Sequence, residues 1–135
     1  MRNSILIFIL LLLTNSCINE PSVYGEQWVE NKLKQKVQIF TYSRFFNQGN
    51  ISFILIPDEK RLITNGRYYE SLLNGTDSTI MVFADGKVKT DVFDNFPPSN
   101  PINIYNIELY RKGSCGRKCK SITYAIDEKD YAEAK

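Results

Sequence analysis

From Val37 to Tyr42, Val37, Ile39 and Thr41 alternate with Gln38, Phe40 and Tyr42. This β-branched and aromatic stretch suits a pleated surface and predicts a strand. Asn47-Gln48-Gly49-Asn50 reads as a turn, and an apolar run from Ile51 to Ile56 follows until Pro57-Asp58 closes it. Between Arg61 and Leu73 the pattern allows one strand around Tyr68 and Tyr69, or a short helix. Ser78 to Phe93 is the clearest unit, two β-rich runs flanking Asp85-Gly86. Asp-Gly at that place predicts a type I′ hairpin, because both residues tolerate positive φ. Pro97, Pro98 and Pro101 mark an irregular crossover. A second hairpin is expected to pair Ile104–Arg111 with Ser121–Ile126 across a Gly- and Lys-rich tip. Asp127 is placed to cap a short helix from Glu128 to about Ala134. The expectation is a mostly β domain: an antiparallel sandwich or open barrel of about six to eight short strands with a short C-terminal helix.

The N-terminal pattern is of another kind. One early charge, Arg2, precedes an unbroken apolar run from Ile5 to Leu13. The run falls short of the roughly 20 apolar residues that cross a bilayer, but it has the proportions of a secretory signal. It ends Leu12-Leu13-Thr14-Asn15-Ser16-Cys17. A small residue directly before a cysteine is what a lipoprotein signal peptidase needs, and the cysteine thiol then carries the lipid. Thr14 stands where such signals usually have Leu, and an ordinary signal with an incidental cysteine is the alternative. The favoured reading is a lipoprotein with residues 1–16 removed, Cys17 lipidated, a tether over 17–27 and a single β domain over 28–135. Two acyl chains suffice for stable anchoring.

Charge narrows the partners. The net charge is +2, of which Arg2 supplies one unit, so the exported domain has no strong field for nucleic acid. The 135 residues have room for one domain.

Several short motifs resemble those of small lipoproteins of unknown function from Bacteroidetes-type bacteria. They are Val29-Glu30-Asn31, Ile54-Leu55-Ile56-Pro57-Asp58-Glu59, Asp77-Ser78, Phe83-Ala84-Asp85-Gly86-Lys87, Asn100-Pro101-Ile102-Asn103 and the closing run Ile122–Ala134. The resemblance implies a lipid-anchored β domain of the cell envelope and supplies no catalytic residue.

Candidate chemistry is sparse. Cys115 and Cys119 bracket Gly116-Arg117-Lys118 at the second hairpin tip. In an oxidising compartment a structural disulfide is the favoured reading, ahead of free thiols and of redox or metal work. The chain has no histidine, so Ser-His and Cys-His catalysis are excluded, and no metal site or cofactor is expected. Arg111, Lys112, Arg117, Lys118 and Lys120 form a basic cluster without an interposed acid. It is either a contact for anionic groups such as lipid phosphates or a solvated loop that protects a sheet edge. Phe45-Phe46, Tyr68-Tyr69, Tyr105 and Tyr110 offer sugar stacking if exposed, and core packing otherwise. Asp77-Ser78-Thr79 looks like the O-glycosylation acceptor of such bacteria, with Ser78 as the site. Asp58-Glu59 and Asp91/Asp94 are possible carboxylate pairs, although turns collect acids for solubility.

The expected function is a non-catalytic binding or structural module at the envelope. The alternatives are a carboxylate enzyme acting on envelope glycan or peptide, and an inhibitor or immunity lipoprotein. Ile18 and the lone Glu20 after Cys17 point to the outer membrane, on its periplasmic face. The possible partners are an envelope protein, a glycan or an anionic lipid, with nucleic acid excluded.

Overall fold

The structure, a computed structural model, describes residues 24–43, 50–67, 76–94, 98–117 and 119–135. Cys17, Phe45-Phe46, Tyr68-Tyr69 and Lys118 lie outside the described residues. Eight strands form two four-stranded sheets: β1 (Tyr24–Asn31), β2 (Val37–Tyr42), β3 (Ile51–Leu55), β4 (Lys60–Arg67), β5 (Ser78–Phe83), β6 (Val88–Val92), β7 (Arg111–Gly116) and β8 (Cys119–Ile126). The first sheet runs β4-β1-β8-β7 and the second β3-β2-β5-β6. All pairings are antiparallel except β1 with β8, which is parallel. The barrel does not close, so the open sandwich form of the expectation holds.

The alternation of β2 does what a half-buried strand requires. Val37 and Ile39 face inward with Leu55, Met81 and Phe83 from the same sheet, and meet Val29, Tyr124 and Ile126 from the other. Asn31 joins the sheets with a fully satisfied side chain. Its Nδ2 donates to the carbonyls of Gln35 (2.8 Å) and Leu55 (3.2 Å), and its Oδ1 accepts from the Leu33 N–H (3.0 Å).

The structure corrects several boundaries. β1 begins at Tyr24, so residues 24–27 belong to the sheet and not to the tether, and Gln27 is buried. A strand, β4, runs over Lys60–Arg67 after a tight turn, and the strand or helix expected around Tyr68-Tyr69 lies outside the described residues. The Asp58 N–H donates to the Asn31 carbonyl at that turn, with Asp58 itself at φ 61°. At the β5–β6 hairpin only Gly86 of the Asp-Gly pair has positive φ (89°). The Phe83 carbonyl accepts from Gly86 N–H (2.9 Å), and the Phe83 N–H donates to Lys87 O. The loop is therefore a three-residue turn ending on a left-handed glycine, not type I′.

The second hairpin starts at Arg111, not Ile104. Residues 98–110 form turns and a 3₁₀ segment, Ile107–Leu109. Asn100, Asn103 and Asn106 cause this, because each Oδ1 accepts from the backbone N–H two residues on, at 2.9, 2.9 and 3.2 Å. Such bonds offer the backbone a local partner in place of a ladder. The crossover tucks Ile104, Tyr105 and Tyr110 into the core. Helix α1 (Glu128–Glu133) forms as expected, with a capping box between Asp127 and Asp130. Beyond it Lys135 bonds Val88 in both directions and ties the chain end to β6.

Candidate functional site

Three regions carry the chemistry: a buried charge cluster, the disulfide hairpin and the outer sheet faces. The first was not legible in the sequence. β6 turns Lys89 and Asp91 inward, 3% and 2% exposed, while Val88 and Val92 face out. In register, Lys89 stands opposite Met81 and Asp91 opposite Thr79. Lys89 Nζ lies 2.6 Å from Asp130 Oδ1, 3.2 Å from Asp91 Oδ2 and 3.5 Å from Glu133 Oε2, and donates to the Ile102 carbonyl at 2.7 Å. Asp130 also accepts from Tyr124 O–H (2.7 Å) and Asp127 N–H (3.1 Å). Asp91 Oδ2 accepts from Ile104 N–H (2.9 Å), and its Oδ1 is buried with no hydrogen-bond partner.

Burial works against the charge on Lys89, yet the bond to Asp130 and the charges of Asp130 and Asp91 hold its pKa above the usual lysine value. Burial pushes the Asp91 carboxyl up, against the pull of the Ile104 N–H and Lys89. The two directions agree if Asp130, the closer acid, is the main counter-ion of Lys89. Burial also raises the Tyr105 phenol, and raises Tyr110 and Tyr124 well above the ordinary phenol range.

Beside this cluster an open groove of about 590 Å³ is lined by residues that include Lys89, Asn100, Glu133 and Lys135. Glu133 is the one acidic side chain on its wall. The expected Asp91/Asp94 pair is not formed as a site. Asp91 is engaged inside the sandwich, and Asp94 is exposed and accepts from Ser99 N–H. Asp58-Glu59 shapes a turn, with Glu59 accepting from Ile56 N–H and pairing with Arg61.

Tyr105 and Tyr110 are core residues with bonded hydroxyls and are not a stacking platform. Tyr105 Oη lies 3.0 Å from both Thr76 and Thr79 hydroxyls. Tyr110 donates to the Ile104 carbonyl (2.7 Å) and accepts from Gln27 Nε2 (3.1 Å). A void of about 10 Å³, lined by residues that include Gln27, Thr41, Thr79 and Ile104, has room for about one water.

Cys115 and Cys119 are joined in a disulfide, with Cα atoms 5.0 Å apart. Their sulfurs and a Glu26 carboxylate oxygen lie within 4.8 Å of one another. The sulfur–sulfur bond removes the two thiolates that a metal would take, and Glu26 accepts from the Trp28 indole (3.0 Å). Every residue of β7 is exposed. Arg117 and Lys120 are exposed as well, while Arg111 pairs with Glu30.

Compared with protein-family models, curated proteins and solved structures, the chain matches none.

The sheet faces differ in charge. The outer face of the first sheet carries Lys60, Glu30, Glu26 and Arg111, with Lys60 Nζ 4.8 Å from the Trp28 ring centroid. On the second sheet the outward rows are Ile54–Gln38–Val82–Val88, Ser52–Phe40–Ile80–Thr90 and Tyr42–Ser78–Val92. None of these side chains is charged. Ser78, the expected glycan acceptor, is half-buried in the last row. Among the described residues no helix is long and apolar enough to cross a membrane.

Proposed function

We propose that this chain is a lipoprotein of the cell envelope, held by a lipid on Cys17, whose β domain is a non-catalytic binding module. The observation that carries the binding reading is the uncharged outer face of the second sheet. Four strands spaced about 4.8 Å apart and about five residues long project roughly 330 Å². Ile54 and Val92, 49% and 45% exposed, stand near its ends, with Ile56 and Phe93 exposed just beyond them. Its apolar side chains, Phe40, Ile54, Ile80, Val82, Val88 and Val92, stand among Gln38, Ser52, Ser78 and Thr90, and apolar groups gathered on one exposed face with a polar surround mark interaction sites. The occupant it fits is a protein surface that is itself apolar and uncharged. Anionic lipid and polyanions find no cation there.

A carboxylate enzyme is the weaker reading. Asp91 and Asp130 are spent on Lys89 and sealed from solvent, which leaves Glu133 alone on the groove. An inhibitor or immunity lipoprotein would be a special case of the binding module, with the toxin as occupant. The outer membrane, periplasmic face, remains the proposed address.

The test is photo-crosslinking in cells from Val82 and Val88, compared with Lys60 on the other face. The expected outcome is one discrete protein adduct from the second sheet only, lost when Ile80→Lys is added. An adduct of twice the chain's mass would identify the partner as a second copy. Equal labelling from both faces, or adducts indifferent to Ile80→Lys, would remove the claim.

A further inference from the structure

The parallel pairing of β1 with β8 has a spatial consequence. Both strands begin at the same end, with Tyr24 beside Cys119 and Gly25 beside Lys120. The chain therefore enters the domain at the tip of the disulfide hairpin. Cys17 lies only seven residues before Tyr24. At 3.3–3.6 Å per extended residue, that leash reaches at most about 25 Å. A lipid on Cys17 keeps the hairpin tip near the bilayer.

The tip is built for an anionic surface. No acidic residue occurs between Glu108 and Asp127. Arg117 and Lys120 are exposed there, Lys112 is exposed further up the hairpin opposite Ile122, and the whole of β7 is exposed. Glu26, the nearby acid on β1, is engaged by the Trp28 indole. The disulfide fixes the turn that presents Arg117.

We propose that this hairpin is the membrane-facing pole of the domain and that its basic side chains bind the phosphate headgroups of the bilayer that holds Cys17. The proposal rests on the lipid anchor of the preceding reading. Each basic side chain close to an anionic leaflet strengthens binding about fivefold, and the attraction fades beyond about 8–10 Å at physiological salt. The short leash holds the charges in reach, as a tether does for any second binding event. β1 and β8 then run away from the membrane.

The test uses the mature lipidated protein in vesicles of neutral phosphatidylcholine, and in the same vesicles with one-third phosphatidylglycerol. Amide hydrogen exchange is followed across Arg111–Ile122. About tenfold slower exchange is expected in the anionic vesicles, lost near 1 M salt, where the screening length is about 3 Å. The Lys112→Glu, Arg117→Glu, Lys120→Glu triple variant should float with both vesicles yet lose the protection. Because these side chains are exposed, the variant leaves the core untouched. Equal exchange in both vesicles with the protein anchored would overturn the proposal and leave the anchor intact. Protection by inorganic phosphate over neutral vesicles, equal to that by anionic lipid, would also overturn it. A chain that carries no lipid on Cys17 by mass and floats with neither vesicle would sink both readings together.

Discussion

Asn31 links the two sheets through its side chain. It lies at the end of β1, is fully buried, and satisfies two carbonyls and one N–H, including Leu55 O in the opposite sheet. Truncation leaves buried polar groups unpaired, at about 1–3 kcal/mol for such a group. Asn31→Ala should therefore destabilise by about 2–4 kcal/mol in urea titration. A loss below about 0.5 kcal/mol, the range of ordinary surface changes, would show that the bridge contributes little.

Asp91 gives a pH signature. Its pKa is raised in the folded protein by burial, so the native state holds its proton more firmly than the unfolded chain does. Its contribution to stability is most favourable below the ordinary value of 3.8 and is lost as pH rises from there through the raised value. Lys89 follows the same sign in a higher window. Its raised pKa supplies stability that is complete below 10.5 and lost as pH climbs through the folded value. In Asp91→Asn this fall with rising pH should vanish, so the stability difference between wild type and variant should change across that window. Parallel profiles would rule out the assignment. Neither residue was legible as a core residue. On β6 the hydropathy of Val88 and Val92 points to the other face, and only α1, arriving from the far end of the chain, supplies Asp130 as the close counter-ion of Lys89, while Asp91 turns in against Lys89 and the Ile104 N–H.

At the scale of elements, local chemistry was a good guide wherever one segment decides the outcome. Val37–Tyr42, Ile51–Leu55, the hairpin around Gly86 and the Asp127-capped helix all stand close to where the pattern placed them. The misses occurred where side chains compete with the ladder. Asn103 and Asn106 bend a segment that looks like a strand. The disulfide was legible because the spacing and the expected oxidising compartment both favour it. Closing so short a loop stabilises by about 2 kcal/mol on the chain-entropy model. The hairpin it closes is exposed along β7, so reduction should act locally. Exchange should speed up in residues 111–122, while the urea midpoint of the core moves little. Cooperative loss of the whole fold on reduction would contradict that picture.

For the whole molecule, the decisive facts are relations between distant segments. The first strand pairs in parallel with the last, and the outward rows of the second sheet are free of charge while those of the first are not. Neither fact follows from periodicity, since pairing partners are chosen by the whole core. Together they give the domain a basic pole at its point of entry and an uncharged face on its second sheet. The basic pole meets a membrane only if the chain is tethered where Tyr24 enters, and so that proposal stands on Cys17. The most direct measurement is membrane fractionation of wild type and Cys17→Ala, with the mass of the mature N-terminus determined in each. The account predicts a wild-type chain that begins at a diacylated Cys17 and sediments with membranes, and a variant released in soluble form. A Cys17→Ala chain as membrane-bound as wild type would contradict it.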